Sequence, residues 1–346
     1  MISVDEIMGY IRKYVCMYGA GMACQHIEKK ILECNNEELS YLFALEVTGA
    51  NIMAHSKVVI DSKNPNYNYL FAKDVTGADI LAHGKAVIDS RNVEYNYLFS
   101  KDIKGADILA HGKAVIDSKD IKYNYLFAEN VTGADVAAHG RVVIDSRNVE
   151  YNYLFAKNVI GTDVRTHGKV VIDSKSPKYN YYFASDVIGA DIDAHGKVVA
   201  DSRNVEYNYY FAKNIVGADI LAHSKVIIDS ENLKYNYYFA KNVVGSDVRA
   251  HGKVIINSKD SEYNYKFASE IFGADILAHS WAYVRAQYGH NNYKEIIRNA
   301  YHFKLSVSGV ISSADSINSK LDEFVAQTSD NKTKVIRKDK NLLNFK

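Results

Sequence analysis

The sequence predicts an all-α protein: an α-solenoid, or superhelix, of short helix–turn–helix repeats of 28 residues. Three observations predict it. Histidine recurs every 28 residues, at His55, His83, His111, His139, His167, His195, His223, His251 and His279. Each interval holds two slots filled by helix-capping residue types. Between the caps, apolar residues recur with helical rather than strand period. Self-similarity at a fixed period of this length is the signature of a repeat array.

The first helix of each unit starts at a slot holding Asn64, Asn92, Asp120, Asn148, Ser176, Asn204, Asn232 and Asp260. All are side chains that accept a hydrogen bond from a free amide at a helix start. The next slot contains both prolines of the chain, Pro65 and Pro177. Proline is tolerated at the first helical position and costly further in. Tyr67, Leu70, Phe71 and Val75 then share one face. The helix is expected to end at a glycine slot, Gly49, Gly77, Gly105 and onward to Gly273, with glycine as the left-handed residue after the helix.

Two residues later comes a second capping slot, Asn51 followed by Asp79, Asp107, Asp135, Asp163, Asp191, Asp219, Asp247 and Asp275. The second helix runs from there to an Asp-Ser pair such as Asp89-Ser90. Segments such as KVVIDS invite a β-solenoid reading. The period decides against it, because Ile80, His83, Gly84, Val87 and Ile88 fall at i, i+3, i+4, i+7 and i+8. Helices this short are marginal alone, so neighbouring repeats must stabilise them.

The organisation follows from where the pattern holds. Residues 1–44 read as an N-terminal capping repeat, with Gly21 and Asn36 in the glycine and capping slots. Residues 45–280 are the tandem repeats. Residues 281–327, opening on the single tryptophan Trp281, read as C-terminal cap helices, and 328–346 as a basic flexible tail.

The repeat YNYLFAKDVTGADILAHGKAVIDS, starting at Tyr67 and recurring from about residue 41 to 280, resembles uncharacterised tandem-repeat proteins of large bacteriophages and giant DNA viruses. The resemblance implies a viral or bacterial intracellular setting and carries no activity with it.

Composition narrows the partners. The formal net charge is +1, with Lys/Arg and Asp/Glu interspersed. There is no global field to draw in nucleic acid or an anionic membrane. No run of 18 apolar residues occurs, so no membrane span is expected. Cys16, Cys24 and Cys34 lack metal-ligand or disulfide-framework spacing. The N-terminus has no signal-peptide core. The expected location is a reducing cytoplasm, that of the host if the protein is viral.

Four recurrent polar ladders are candidates for sites. The histidines lie on the apolar helix face, four residues after the capping Asp, so that Asp79 and His83 can pair within one turn. Helix packing sets adjacent copies about 8–10 Å apart, too far to share one zinc. The Asn68 ladder falls inside the apolar arc and needs partners, either backbone groups at the turns or the next Asn. The Asp61 ladder is expected to pair with Lys57 and its equivalents four residues earlier, or with the start of the following helix. The Tyr69 ladder lies off the apolar arc and is expected to be partly exposed, packing between repeats with its hydroxyl in water or stacking on a polymer. No ladder singles out one copy, so no catalytic residue, metal or cofactor is assigned. Trp281, His290 and His302 are the non-repeating candidates that an enzyme would have to use.

Variable slots carry more information about partners. The residue before the glycine is Thr48, Thr76, Lys104 and Thr132, then Ile160, Ile188, Val216, Val244 and Phe272. The slot after the second Tyr changes from Leu to Tyr182, Tyr210 and Tyr238. A slot on the second helix is irregular, and its Arg165, Asp193 and Arg249 are candidate polar contacts. Together these residues form the expected partner-binding set, unless 281–327 folds over the apolar edge. The expected function is an intracellular, non-enzymatic protein-binding or scaffold solenoid, binding a protein partner or itself. In a virus, it would act on a host factor. The alternative is binding of a nucleic acid or glycan through the Tyr ladder and the basic tail.

Overall fold

A computed structural model describes residues 3–18 and 22–288. Among these residues there are twenty α-helices and no strand. The chain is an α-solenoid of 28-residue repeats. It divides into two compact units. One contains the residues up to Ser174 together with Asp186–Ala190. The other contains Lys175–Ser185 and the residues from Asp191 onward. Gly21, His290, His302, the tail and most of the 281–327 segment lie outside the described residues.

The first unit holds α1 (Val4–Tyr18), α2 (Met22–Glu33), α3 (Glu37–Glu46), α4 (Ile52–Ser62), α5 (Pro65–Asp74), α6 (Ile80–Asp89), α7 (Val93–Asp102), α8 (Ile108–Ser118), α9 (Ile121–Asn130), α10 (Val136–Asp145), α11 (Val149–Asn158) and α12 (Val164–Asp173). From α3 on, each first helix of this unit packs on the second helix of its own repeat. First helices also pack on neighbouring first helices, and second helices on second helices, giving two layers. The second unit repeats this with α13 (Pro177–Asp186, its last residue counted with the first unit), α14 (Ile192–Asp201), α15 (Val205–Asn214), α16 (Ile220–Asp229), α17 (Leu233–Asn242), α18 (Val248–Ser258), α19 (Ser261–Glu270) and α20 (Ile276–Tyr288). Helix α20 runs unbroken through the 280/281 position where the sequence pattern stops.

The caps form where the sequence places them. Asn92, Asp120 and Asn148 accept from the amide three residues on, and Asn51, Asp79 and Asp107 do the same for the second helices. Pro65 and Pro177 open their helices. Phe71, Phe99, Phe127 and Phe155 are fully buried, as are Val59, Val87, Val115 and Val143, so each pair of adjacent repeats shares its own apolar cluster.

The glycine slot differs from the sequence expectation. Helix α5 ends at Asp74, and its cap Val75 is extended and buried. Gly77, at φ 87°, comes two residues later, and the Ala78 amide donates to Val75 O at 3.2 Å. This is a tight turn with glycine at its third position, where a positive φ is required. The left-handed residue that ends a helix lies elsewhere. Lys63, Arg91, Lys119 and Arg147, and in the second unit Lys175, Arg203, Glu231 and Lys259, hold φ between 54 and 61°. All but Glu231 are basic, which suits the negative end of a helix dipole, at the cost of left-handed strain at a residue with a Cβ.

Replacing Arg91, Arg147 and Arg203 together by glycine relieves that strain. After the extra unfolded-state entropy of glycine is subtracted, stability is expected to rise by about 0.5 kcal/mol per site. A thermal midpoint that falls instead contradicts this account.

Candidate functional site

The most conspicuous chemistry in the chain is buried. Asn68 Nδ2 donates to Val59 O and Asn64 O, both at 2.9 Å, and Asn68 Oδ1 meets His83 Nδ1 at 2.8 Å. Val59 lies near the end of one second helix, Asn68 on the next first helix, and His83 on the next second helix. One amide therefore joins three consecutive helices. The bond to histidine recurs at His111, His139, His167, His195, His223, His251 and His279, at 2.7–2.8 Å. The His and Asn ladders, separate in the sequence, are two halves of one fastening. The partner of each of these histidines is the asparagine 15 residues earlier, not the capping Asp. The partners of each asparagine are backbone carbonyls and a histidine, not the next Asn.

Hydrogen-bond bookkeeping fixes the tautomer. The asparagine amide is already spent as a donor, so its oxygen accepts and His Nδ1 carries the proton. Nε2 is then an acceptor facing the previous repeat. Ser56 Oγ reaches His83 Nε2 at 2.8 Å, and Ser224 Oγ reaches His251 Nε2 at 2.9 Å. In the other repeats up to Gly252 the slot is glycine, and in the last it is Ser280, which donates to Ile276 O at 2.6 Å. A Cβ on Gly112 would lie 3.5 Å from His139 Nε2 and 3.3 Å from Phe127. The Nε2 atoms of His111, His139 and His223 are buried without a partner. Each ring also lies against a phenylalanine, as His83 does on Phe71 with centroids 4.7 Å apart.

The first repeat departs from this plan. Ser40 occupies the asparagine position, and neither its hydroxyl nor His55 Nδ1 has a partner. Glu28 takes the serine position instead, 3.2 Å from His55 Nε2.

The tyrosine ladder is corrected as well. Tyr69, Tyr97, Tyr125 and Tyr153 are buried, as are Tyr209 and Tyr237, and Tyr265 alone in this ladder is exposed. The hydroxyls of Tyr69, Tyr125, Tyr153, Tyr209 and Tyr237 bond into the next repeat. Tyr41 donates to Asp74 at 2.8 Å, Tyr69 to Asp102 at 2.6 Å, and Tyr237 to Glu270. Where the facing residue is asparagine the polarity reverses, and Asn158 donates to Tyr125 at 2.7 Å. Burial, then the facing carboxylate, raises the Tyr69, Tyr153 and Tyr237 phenols. They therefore stay protonated donors. Such a ladder offers no open stripe for a polymer to stack on. Of the Asp61 ladder, Lys57 pairs with Asp61 at 2.9 Å and Lys225 with Asp229 at 3.5 Å, both in solvent.

The expected partner-binding residues lie outside these networks. Ile160 and Ile188 in the first unit are 94 and 96% exposed; Val216, Val244 and Phe272 in the second are 93–101% exposed. Each occupies the corner of its turn just before the positive-φ glycine, so the backbone projects it outward. Arg165, Asp193 and Arg249 are exposed; Tyr182 and Tyr210 are half-buried, and Tyr238 is exposed. The slot of Arg165, Asp193 and Arg249 is apolar in the earlier repeats. Met53, Leu81 and Leu109, on α4, α6 and α8, are all exposed. Among the described residues no cluster of His, Cys, Asp or Glu could hold a metal ion, and no helix is long and apolar enough to cross a membrane. Family models, curated proteins and solved structures show no match to the chain.

Two expectations follow. Burial, weakly opposed by the capping Asp, lowers the eight histidines from His83 to His279 to about 4. The unfolded chain protonates them near 6.5, so it binds more protons than the folded chain between pH 6.5 and 4. Stability is fully present above that window and is lost on going down through it, by up to about 1.4 kcal/mol per pH unit per histidine. Melting curves across pH 7 to 4 check this, and a flat midpoint contradicts it. Second, Gly112→Ser gives His139 Nε2 its missing donor and is expected to add about 1 kcal/mol in urea unfolding, more than Gly112→Ala, which brings no hydroxyl.

Proposed function

We propose that this chain is a non-enzymatic, protein-binding scaffold acting in the cytoplasm, and that it engages partners through the turn-corner residues of its later repeats. One observation carries the reading: Ile160, Ile188, Val216, Val244 and Phe272 stand almost wholly in solvent. Burying each such side chain contributes about 1.5–3 kcal/mol. Within each unit, solvent-facing apolar residues that recur in one slot mark a surface for interaction. Arg165, Asp193 and Arg249 add irregular polar chemistry, which suits discrimination between partners. The recurrent His, Asn and Tyr side chains are occupied in holding repeats together, and none of them stands out as a singular constellation for catalysis. The Tyr69 ladder on which the polymer reading rests is largely buried. The resemblance of the repeat adds a viral or bacterial intracellular setting, and in a virus the partner would be a host factor.

The test is affinity capture with the wild-type chain and an Ile188→Asp/Val216→Asp variant. A partner bound by the wild type is expected to be retained at least about tenfold less by the variant. Equal retention overturns the reading, and salt-sensitive nucleic acid in both eluates transfers it to a polymer.

A further inference from the structure

Superimposed on the 28-residue period is a second one of twice that length. From α5 on, the second residue of each first helix reads Asn66, Glu94, Lys122, Glu150, Lys178, Glu206, Lys234 and Glu262. From Glu94 on, acid and base alternate repeat by repeat. In the second unit this column is Lys178, Glu206, Lys234 and Glu262, on α13, α15, α17 and α19, and all four are exposed. Glu262 keeps 70% of its side chain in solvent even while paired with Lys266 in its own helix.

One helical turn further on, on the same face, lies a second column: Tyr182, Tyr210, Tyr238 and Lys266. The columns touch, since the Lys178 ammonium sits 5.9 Å from the Tyr182 ring centre. The tyrosines also run on from helix to helix, with Tyr181 and Tyr210 at 6.1 Å and Tyr209 and Tyr238 at 6.1 Å.

Both columns have the same symmetry. Read backwards, Lys-Glu-Lys-Glu becomes Glu-Lys-Glu-Lys, its own complement. Read backwards about the same midpoint, the second column sets Tyr210 against Tyr238 and Tyr182 against Lys266. The first is an aromatic pair and the second a cation over a ring. We propose that the protein pairs with a second copy of itself through the outer face of α13, α15, α17 and α19. The copies run antiparallel about a two-fold axis between Glu206 and Lys234. Lys178 then meets Glu262 of the other copy, and Glu206 meets Lys234, each contact made twice as an isologous interface requires. Parallel copies in register set like charge on like. The corresponding column of the first unit, Asn66, Glu94, Lys122 and Glu150, complements itself only at its centre, which places the contact in the second unit.

This deepens the reading of the chain as a partner-binding array, from which it takes Tyr182, Tyr210 and Tyr238. The test uses the full chain in sedimentation equilibrium. A dimer is expected whose dissociation constant rises with salt. Glu206→Lys sets lysine against lysine twice and is expected to weaken the dimer by about tenfold or more. Glu206→Lys/Lys234→Glu is expected to restore it. Only the antiparallel register is restored by the double exchange. In a parallel pairing shifted by one repeat, Lys178 faces position 206, whose charge the exchange has reversed. A chain monomeric at every concentration, a dimer indifferent to Glu206→Lys, or a double variant that melts like wild type yet stays monomeric each overturns the proposal. The Ile188→Asp/Val216→Asp variant is expected to dimerise normally, so loss of the turn-corner partner and loss of self-pairing are read separately.

Discussion

The architecture depends on a buried amide–imidazole hydrogen bond repeated along the chain. Asparagine and histidine are poor choices for a core unless every polar atom finds a partner. Here the geometry almost meets that demand. The two amide hydrogens of Asn68 go to backbone carbonyls at a helix junction, its oxygen goes to His83, and His83 turns its remaining nitrogen to Ser56. Apolar contacts such as Phe71 on Val59 supply most of the free energy, but they tolerate sliding. The directional bond does not, and it sets the depth at which each repeat seats on the last.

With helices fixed this way, the connecting turns have little freedom. Val75 must return to the core, and the chain must reverse within a few residues to reach the cap at Asp79. A tight turn with glycine in its third position does this. Its second position then points away from everything else. The exposure of Ile160 or Phe272 is thus imposed by the scaffold, while the residue placed there is free to vary. Stability and recognition occupy neighbouring positions without competing.

Much of this is legible in the sequence, and the reasons are local. Caps, prolines and helical period act within four residues, so the helices of the regular repeats can be placed closely. Relations between repeats are harder to see. Asn68 and His83 each read as structural, yet their mutual bond spans 15 residues and two helices. The Tyr69–Asp102 bond spans 33 residues. A helical wheel puts Tyr69 outside the apolar arc because it counts one helix and not the two flanking ones that bury it. The glycine reads as a helix end because both roles require a positive φ. The true left-handed helix ends are hidden because Lys and Arg fill them. The solvent-facing slot of Ile160, Ile188, Val216, Val244 and Phe272 shows in the sequence as variation, since a buried slot would have held its residue type from repeat to repeat.

The serine-or-glycine slot has a consequence for how the array comes apart. In a linear stack each repeat leans only on its neighbours, so cohesion is a sum over successive joints. The joints are not equal. Those made by Ser56 and by Ser224 carry a bond that the joints ending at His111, His139 and His223 lack. A joint without the bond opens at lower cost than one that has it. A chain of near-identical links thereby has an internal order of opening, written in whether a single slot carries a hydroxyl.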